Sequence, residues 1–319
     1  MSLYLGVDGG GTKTALCVLS EDGRLLAQHT TTSLYHLGPG LAEHVTGILR
    51  EAVTTVCAAA GVTPADLTFA FFGLAAFGEI PEQVTILEAL PETVLGHRRY
   101  RCGNDMICGW AGSLAGADGI NVISGTGSIT YGERLGTGVR AGGWGEVFGD
   151  EGSGFWLGTH ALQTFSRMSD GRQTPGPLLG ILREHLGLGD DLDLIDLVLN
   201  QWLTDRSRVA ALSRPLVQAA RVGDPAAVAL LDQAADELVL LVETTRRRLG
   251  YPTDERVPVS YSGGIFSVDE VREPFVHRLT ETGHDVRQPI FTPVIGAALY
   301  AAGLAGRPLL PDALDRLRA

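Results

Sequence analysis

The residues best suited to chemistry near the start of the chain form a glycine loop, which runs from Asp8 to Lys13 and reads DGGGTK. Gly10 and Gly11 let backbone N–H groups approach an anion closely, and the hydroxyl of Thr12 and the ammonium of Lys13 add two donors. An aspartate that ends an apolar strand is costly unless a cation lies near it, and Mg2+ held through water is the simplest candidate at Asp8. The loop therefore predicts a polyphosphate site that uses Mg2+.

Two familiar phosphate loops do not fit this segment. Walker and dinucleotide-binding loops need a helix directly after the glycines, whereas apolar strands flank this loop on both sides. Lys13 also does not follow Gly11 directly, as a Walker lysine must. Two alternatives stay open: a turn-capping role for Asp8, and a genome rich in arginine codons as the reason why Lys13 is the only lysine of the chain.

Glycine turns recur twice further along the chain. A second loop follows the apolar run 119–124 and offers the same donors as the first, from Gly125, Thr126, Gly127 and Ser128. A third turn contains Gly263 and Gly264, directly after the apolar run 257–262. Each turn alone is equally well explained as a plain hairpin or loop, but the three together predict a nucleotide held between two domains.

A carboxylate suited to proton transfer follows another extended segment, at Asn104-Asp105. In phosphoryl transfer, a carboxylate can accept the proton of a sugar hydroxyl as it attacks phosphorus. The competing interpretation is an Asx turn or an N-cap for the helix predicted from Met106.

The segment 142–154, GGWGEVFGDEGSG, adds an indole and the carboxylates of Asp150 and Glu151, which suit a polyol. There the alternative is that Asp150 and Glu151 cap the helix predicted from Phe155.

These loops need strands and helices to position them, and the pattern of apolar residues predicts an α/β protein. Each half begins with a strand, a glycine–threonine loop and a returning strand, which indicates two similar domains facing a cleft. We expect an N-terminal domain over 1–117, joined by a C-terminal helix at 309–319, and a second domain over 118–308 with a helical insertion. The predicted strands are 3–7, 15–19, 25–29, 68–73, 119–124, 129–132, 257–262 and 286–290, and the predicted helices include 41–60, 273–282 and 293–302.

Composition limits the partners of this protein. The net charge of −12 and the isoelectric point near 5.1 argue against nucleic acid and anionic membranes. The four cysteines lack the spacing of a zinc or iron–sulfur site, and no apolar run approaches the ~20 residues of a membrane span. We expect a cytoplasmic protein whose partner is a small molecule, and a homodimer is a fair prior.

The three loops, Asp105 and the segment 142–154 together resemble the sugar-kinase, actin and heat-shock ATPase superfamily, over nearly the whole chain in the correct order. Within it, the chain is most similar to N-acetylglucosamine kinases and the wider BadF/BadG/BcrA/BcrD-type ATPase family. The resemblance implies two ribonuclease-H-like domains of the actin-like ATPase fold, ATP and Mg2+ as cofactors, and a sugar as substrate.

The resemblance also implies roles for single residues. Asp105 would be the catalytic base. Together with the loop arguments, the predicted contacts to ATP are Gly10, Gly11, Thr12, Lys13, Thr126, Gly127, Ala220, Gly263, Gly264 and Ser267. The predicted contacts to the sugar are Asn104, Asp105, Ser128, Gly143, Trp144, Gly145 and Asp150.

The chain departs from the family pattern at two loops. Members with N-acetylglucosamine activity have an asparagine after the third strand, whereas the segment 32–38, TSLYHLG, has none. The loop 74–78, LAAFG, carries the bulky Phe77 where the family loop approaches the sugar.

The loops and the resemblance together predict an ATP-dependent kinase that phosphorylates an amino sugar or hexose at its primary hydroxyl. The substrates that we expect most are N-acetylglucosamine and glucosamine. The alternatives are an ATPase that activates a reductase or dehydratase, and a sugar sensor without catalysis.

Overall fold

The computed structural model describes residues 1–36, 40–75, 77–202 and 205–318. The chain forms two compact units, one made of residues 1–118 and 288–319 and the other of residues 119–287. Each unit has its own five-stranded mixed sheet. Among the described residues, no helix is both long and apolar enough to cross a membrane.

The sheet of the first unit has the strand order β3-β2-β1-β4-β5. Its strands are β1 (Leu3–Gly9), β2 (Lys13–Ser20), β3 (Leu25–Thr32), β4 (Phe69–Leu74) and β5 (Tyr100–Asn104). The strands β1, β2 and β3 form an antiparallel meander, while β4 and β5 run parallel to β1. Strands β1 and β4 are buried almost throughout, which is why their sequences are nearly continuous apolar runs. Three helices follow in this part of the chain: α1 (Leu41–Ala59), α2 (Pro81–Leu95) and α3 (Met106–Leu114).

The second unit repeats this topology. Its strands are β6 (Gly119–Ser124), β7 (Ser128–Arg134), β8 (Thr137–Gly142), β9 (Pro258–Ser262) and β10 (Asp285–Arg287). The strand order is β10-β9-β6-β7-β8, with an antiparallel meander from β6 to β8 and parallel β9 and β10, as in the first sheet. The predicted duplication of strand, glycine loop and strand is therefore present in both units.

Helices α4 to α10 belong to the second unit. They are α4 (Gly154–Ser169), α5 (Pro177–Leu186), α6 (Asp193–Asp196), α7 (Arg206–Ala211), α8 (Ser213–Arg221), α9 (Pro225–Arg248) and α10 (Asp269–Glu281), with a π-helical turn at Leu197–Trp202 and a 3-10 turn at Gly264–Ser267. Asp224 caps α9 by accepting hydrogen bonds from the N–H groups of Ala226 and Ala227.

The last two helices, α11 (Pro293–Leu304) and α12 (Pro311–Arg318), lie in the first unit. This differs from the expected division, which assigns residues up to 308 to the second domain. The physical reason is close packing of small residues. A side chain at Gly6 of β1 would collide with the backbone of α11 at Ala298, and one at Gly296 of α11 would collide with the backbone of α3 at Gly112.

Candidate active site

Two carboxyl groups lie at one edge of the first sheet. Because β1, β4 and β5 are parallel, their carboxyl ends lie side by side, and Asp8 is paired with Gly73, which in turn is paired with Gly103. Asp105 follows two residues after Gly103, directly before α3. The register thus brings the predicted metal carboxylate and the predicted base to neighbouring strand ends.

Both carboxyl groups titrate well above the ordinary range of aspartate. Burial, followed by the negative charge of Asp105, raises the pKa of Asp8 from 3.8 to about 7, although the ammonium of Lys13 acts in the opposite direction. Burial also raises the pKa of Asp105 from 3.8 to about 6, and the charge of Glu79 adds to this rise. A carboxyl group with a pKa near neutrality is suited to accept a proton at physiological pH.

The two interpretations of the Asn104-Asp105 dipeptide, a turn at the start of a helix and a catalytic carboxylate, apply to different residues of the pair. The side-chain oxygen of Asn104 accepts from the N–H of Met106 at 3.1 Å, and its amide donates to the carbonyl of Phe77 at 3.3 Å. Asn104 is buried and makes the expected Asx turn. The side chain of Asp105 makes no capping hydrogen bond to α3. The predicted sugar contact of Asn104 stays a prediction, and its observed bonds hold the loop after β4 against β5.

Gly73 makes room for this arrangement. A Cβ atom there would overlap Sγ of Cys108 and would lie 3.2 Å from Cα of Asp105. Only glycine therefore lets the first turn of α3, and Asp105 with it, lie so close to the end of β4.

The first glycine loop joins β1 to β2 in an antiparallel hairpin, as predicted from its flanking strands. The N–H of Gly10 donates to the carbonyl of Lys13 at 3.0 Å, and the hydroxyl of Ser33 donates to the carbonyl of Gly10 at 2.8 Å. Gly11, Thr12 and Lys13 are exposed. The base of this loop is thus fixed while its tip presents a hydroxyl and an ammonium to solvent.

The second loop, between β6 and β7, is held by the start of α4. The N–H groups of Gly154 and Phe155 donate to the carbonyls of Gly125 and Thr126, at 2.8 and 3.1 Å. The hydroxyl of Ser128 donates to the carbonyl of Glu151 at 2.6 Å. The loop that contains the predicted phosphate contacts is therefore fastened to the segment 142–154 that contains the predicted sugar contacts.

Asp150 is the most constrained residue of the segment 142–154. Its φ of 58° lies in the left-handed region, and its side chain is only 5% exposed. Its Oδ2 atom accepts from Nη2 of Arg206 at 2.8 Å, and a Cβ atom at Gly127 would lie 2.6 Å from the same Oδ2. Burial raises the pKa of Asp150, while the guanidinium of Arg206 opposes the rise.

The expectation that Asp150 or Glu151 caps the following helix is wrong. The N-cap of α4 is Ser153, whose hydroxyl accepts from the N–H of Trp156 at 3.1 Å. The carboxyl group of Asp150 bonds to Arg206 instead, and a serine two residues before Phe155 takes the capping position.

Trp144 is 69% exposed, and Val147 and Phe148 beside it are exposed too. Glycines in the left-handed region flank the indole, with φ of 69° at Gly143 and 86° at Gly145. The guanidinium of Arg140 lies 5.8 Å from the centre of the indole ring. The indole therefore offers a face to a ligand such as a sugar ring.

The third glycine turn follows β9. Gly263 has a φ of 102°, and a Cβ atom there would collide with the carbonyl of Ser124, so glycine lets the turn touch the end of β6. The hydroxyl of Ser267 donates to the carbonyl of Gly264 at 2.6 Å. An ion pair of 2.6 Å between Arg221 and Glu270 joins the end of α8 to the start of α10. Arg221 directly follows Ala220, and Glu270 lies three residues after Ser267. The ion pair thus joins the two elements that carry these predicted ATP contacts.

The order of the strands and loops is that of a known family. A model of the BadF/BadG/BcrA/BcrD ATPase family matches residues 5–301. The chain belongs to this family. The predicted family and the predicted fold class, an α/β protein with two similar domains of the actin-like ATPase type, are both confirmed.

Its relatives include sugar kinases. The N-acetyl-D-glucosamine kinase of Dictyostelium discoideum is 29% identical over 313 residues, which cover 94% of this chain and 97% of that protein. The N-acetylmuramic acid/N-acetylglucosamine kinase of Clostridium acetobutylicum is 29% identical over 268 residues, which cover 84% of this chain and 86% of that protein. A solved structure from Chromobacterium violaceum, described as a candidate N-acetylglucosamine kinase, is 27% identical with a TM-score of 0.72, and the match covers 94% of this chain and 99% of that one.

The two loops that depart from the family pattern lie beside each other in the first unit. Leu34, Tyr35 and His36 line a small cavity together with Leu74 and Ala75. Phe77 is half-buried and packs against the apolar core of this unit. Leu37, Gly38 and Ala76, which also belong to the two predicted loops, lie outside the described residues.

Sequence reasoning missed two charged residues of the site, Glu79 and Arg206. Glu79 raises the pKa of Asp105, and Arg206 bonds to Asp150 from a distance of 56 residues along the chain. Neither belongs to a glycine motif. Glu79 could have been noticed as a charged residue in the loop that follows β4. Nothing in the sequence, by contrast, pairs Arg206 with a particular carboxylate.

Proposed function

We propose that this protein is an ATP-dependent amino-sugar kinase, which transfers the γ-phosphoryl group of ATP to the primary hydroxyl of N-acetylglucosamine or glucosamine. The observation that carries the proposal is Asp105, whose pKa is raised to about 6 at the edge of a sheet beside a glycine loop. The names of the relatives, which are N-acetylglucosamine, N-acetylmuramic acid and glucosamine kinases, support the choice of substrate.

In the proposed reaction, Asp105 orients the primary hydroxyl of the sugar and accepts its proton as the oxygen attacks the γ-phosphorus atom. The bond between this phosphorus and the bridging oxygen of ATP breaks, and ADP leaves. Because the transition state spreads charge over the phosphoryl oxygens, positioned donors account for much of the catalysis. We assign these donors to Thr12 and Lys13 of the first loop and to Thr126 of the second, with backbone N–H groups of Gly10, Gly11 and Gly127.

The other predicted contacts keep their proposed roles. Ala220, Gly263 and Ser267 contact the adenosine, and Gly264 is a further contact to ATP. The ion pair between Arg221 and Glu270 joins α8 to α10 beside these residues. The proposed sugar contacts are Asn104, Asp105, Ser128, Gly143, Trp144, Gly145 and Asp150. Trp144 packs against the apolar face of the ring, and Asp150 accepts hydrogen bonds from sugar hydroxyls.

The residues near Asp8 fit a magnesium ion that is held mostly by water and phosphate. The described residues contain no group of three His, Cys, Asp or Glu side chains that could hold a metal by themselves. Mg2+ commonly uses one or two carboxylates, several waters and the phosphates of a nucleotide. The raised pKa of Asp8 means that its negative charge is unfavourable in this buried, acidic position, and a nearby cation would stabilise it. When bound, Mg2+ would offset the charge of the phosphates, while Asp8 would hold it through water.

The role of reductase or dehydratase activator is less well supported. Such activators, as the resemblance implies, bind an iron–sulfur cluster through cysteines at a dimer interface. Cys17, Cys57, Cys102 and Cys108 are all buried, and burial raises the pKa of each thiol. Protonated, buried thiols are poor metal ligands. Free cysteines suit a reducing compartment, and we infer a cytoplasmic enzyme. A homodimer stays a prediction.

An assay of ADP release tests the proposed function. Glucosamine, N-acetylglucosamine, N-acetylmuramic acid and glucose are each offered with ATP and Mg2+, and the product is identified by mass and by the position of the new phosphate. We expect phosphorylation of an amino sugar at its primary hydroxyl, well above the rate without sugar. Steady ATP hydrolysis that no sugar stimulates would contradict the proposal and favour the activator role, whereas sugar binding without any turnover would favour the sensor.

A further inference from the structure

We infer that Arg206 is a positioning residue of the sugar site, which holds the loop 143–152 in its binding conformation through Asp150 and Glu146. The inference rests on the proposed function, because it takes Asp150 as a sugar contact. Nothing in the glycine motifs or in the family pattern assigns a role to Arg206. It belongs to the helical insertion and not to the repeated sheets.

The guanidinium of Arg206 contacts two carboxylates of the same loop. Its Nη2 atom lies 2.8 Å from Oδ2 of Asp150, and its Nε atom lies 3.1 Å from Oε2 of Glu146. Asp150 is buried, whereas the side chain of Glu146 is 30% exposed. The contact with Asp150 is a hydrogen bond, whereas the contact with Glu146 is an ion pair without hydrogen-bond geometry. A planar guanidinium can pair with two carboxylates at once, which a lysine ammonium does less well. Arg206 thus links Glu146 and Asp150 within the loop 143–152.

The backbone of Arg206 is itself fixed. Arg206 is the first residue of α7, and Asp205 caps this helix by accepting from the N–H groups of Ser207 and Arg208. Helix α7 packs closely on α4, because a Cβ atom at Gly158 of α4 would collide with the carbonyl of Val209. The guanidinium therefore projects from a rigid pair of helices toward the loop.

The same contacts reach the second glycine loop. A Cβ atom at Gly127 would lie 2.6 Å from Oδ2 of Asp150, and one at Gly154 would lie 3.0 Å from the carbonyl of Gly125 and 3.4 Å from Cβ of Ala210 in α7. The carboxyl group of Asp150 consequently lies between the guanidinium and the glycine loop. Losing Arg206 would free this carboxyl group to turn away from the position in which it meets a sugar hydroxyl.

Charge supports the same role. Burial is the largest influence on Asp150 and raises its pKa, and the charge of Glu146 acts in the same direction. The guanidinium of Arg206 is the largest opposing charge. Arg206 therefore favours the ionised form of Asp150, and an ionised carboxylate offers both oxygens as acceptors without donating a hydrogen bond itself.

The test compares Arg206→Met with Arg208→Met. Arg208 lies on the same short helix and pairs with Asp205 at 3.2 Å, away from the loop, so it controls for loss of an arginine from α7. We expect Arg206→Met to raise the KM for the sugar by about 10- to 100-fold, the loss that accompanies removal of a hydrogen bond to a charged group. The kcat value and the KM for ATP should change far less, and Arg208→Met should resemble the wild type.

The pH dependence separates positioning from general loss of structure. Without Arg206 the pKa of Asp150 rises further, so the variant should bind sugar better as the pH is raised, and its defect should shrink. Arg206→Lys keeps the positive charge and should remove most of this pH dependence while restoring the KM only in part.

The possible results distinguish two failures. If the wild type phosphorylates no amino sugar, the proposed function fails. If the wild type is active and Arg206→Met has the sugar KM of Arg208→Met, only the role of Arg206 fails. The inference would also be overturned if Arg206→Met lowered kcat, sugar affinity and melting temperature together and none of these effects depended on pH. Such a result would show that the contribution of Arg206 is purely structural.

Discussion

Each unit of the protein packs one aspartate with a proposed role against a glycine, but the charges around the two aspartates differ. Asp105 follows β5 and packs against Gly73, and its pKa is raised by burial and by the acidic Glu79. Asp150 packs against Gly127, and the guanidinium of Arg206 bonds directly to its carboxyl group.

The difference shows how neighbours assign a role to a carboxyl group. Burial, with the added charge of Glu79, raises the pKa of Asp105 to about 6, which is close enough to neutrality for a base that must accept a proton. A guanidinium favours the anion at Asp150, which suits an acceptor of hydrogen bonds from hydroxyl groups. The two residues therefore predict two kinds of defect when they are altered, one in turnover and one in binding.

The largest expected effect follows removal of the proposed base. Asp105→Asn should lower kcat by about 100- to 10,000-fold, the usual contribution of general base catalysis. ATP affinity should stay unchanged, because Asp105 acts on the sugar hydroxyl. Steady-state kinetics and equilibrium ATP titration measure the two quantities. The matched change in the second unit, Asp150→Asn, should act chiefly on the KM for the sugar, and equal effects of the two changes on kcat would refute the comparison.

A smaller effect is expected from a single methyl group in the second loop. Gly127→Ala places a Cβ atom 2.6 Å from Oδ2 of Asp150, the same atom that accepts a hydrogen bond from Arg206. We expect the sugar KM to rise about tenfold, as for the loss of one charged hydrogen bond. Gly125→Ala is the control, because a Cβ atom there meets nothing within 4 Å. Indistinguishable kinetics of the two variants would mean that Asp150 does not depend on this contact.

The acidic pair of the first unit also predicts a pH-dependent change in stability. Since the pKa of Asp8 is raised from 3.8 to about 7, the folded protein retains a proton that the unfolded chain releases between these values. Over this pH range the stability of the wild type should therefore fall relative to Asp8→Asn, which carries no charge. Melting temperatures without Mg2+ should favour the variant progressively from pH 4 to above pH 7. Asp312→Asn, at an exposed position, is the control, and a difference independent of pH would show that the proton on Asp8 does not matter.

The smallest effect is expected at Lys13. Its side chain is exposed, and an arginine there keeps the positive charge that lowers the pKa of Asp8. Lys13→Arg should leave ATP affinity and kcat nearly unchanged, whereas Lys13→Met should weaken ATP binding, as measured by titration. If Lys13→Arg is as damaging as Lys13→Met, the compact ammonium is required, and arginine-rich codon usage does not explain its isolation.

The sequence was informative where local pattern determines structure. Apolar runs on both sides of the loops at Gly10 and Gly125 predicted hairpins, and both are present, because strand pairing buries such runs regardless of distant contacts. The repeated topology followed from the same reasoning. The Asx turn at Asn104 was among the interpretations for the same reason, since it joins Asn104 to Met106, only two residues further along the chain.

Distant packing was not predictable in this way. The helix α11 is rich in small residues and apolar on all sides, so its sequence does not reveal that it packs on β1 of the first unit. The carboxyl group of Asp150 bonds to Arg206, which is far away in sequence, and Ser153 caps α4 in place of Asp150. Charges that act across such distances determine the proposed roles, and only the structure brings them together.

The comparison of the two carboxyl groups is tested most directly by titrating Asp105 itself. Carboxyl-carbon NMR of the protein labelled at aspartate, without nucleotide or Mg2+, gives its midpoint, with the resonance assigned by its loss in Asp105→Asn. The neighbourhood of Asp105 predicts a midpoint of about 6. A midpoint near 3.8, the ordinary value for aspartate, would contradict the assignment of Asp105 as the base.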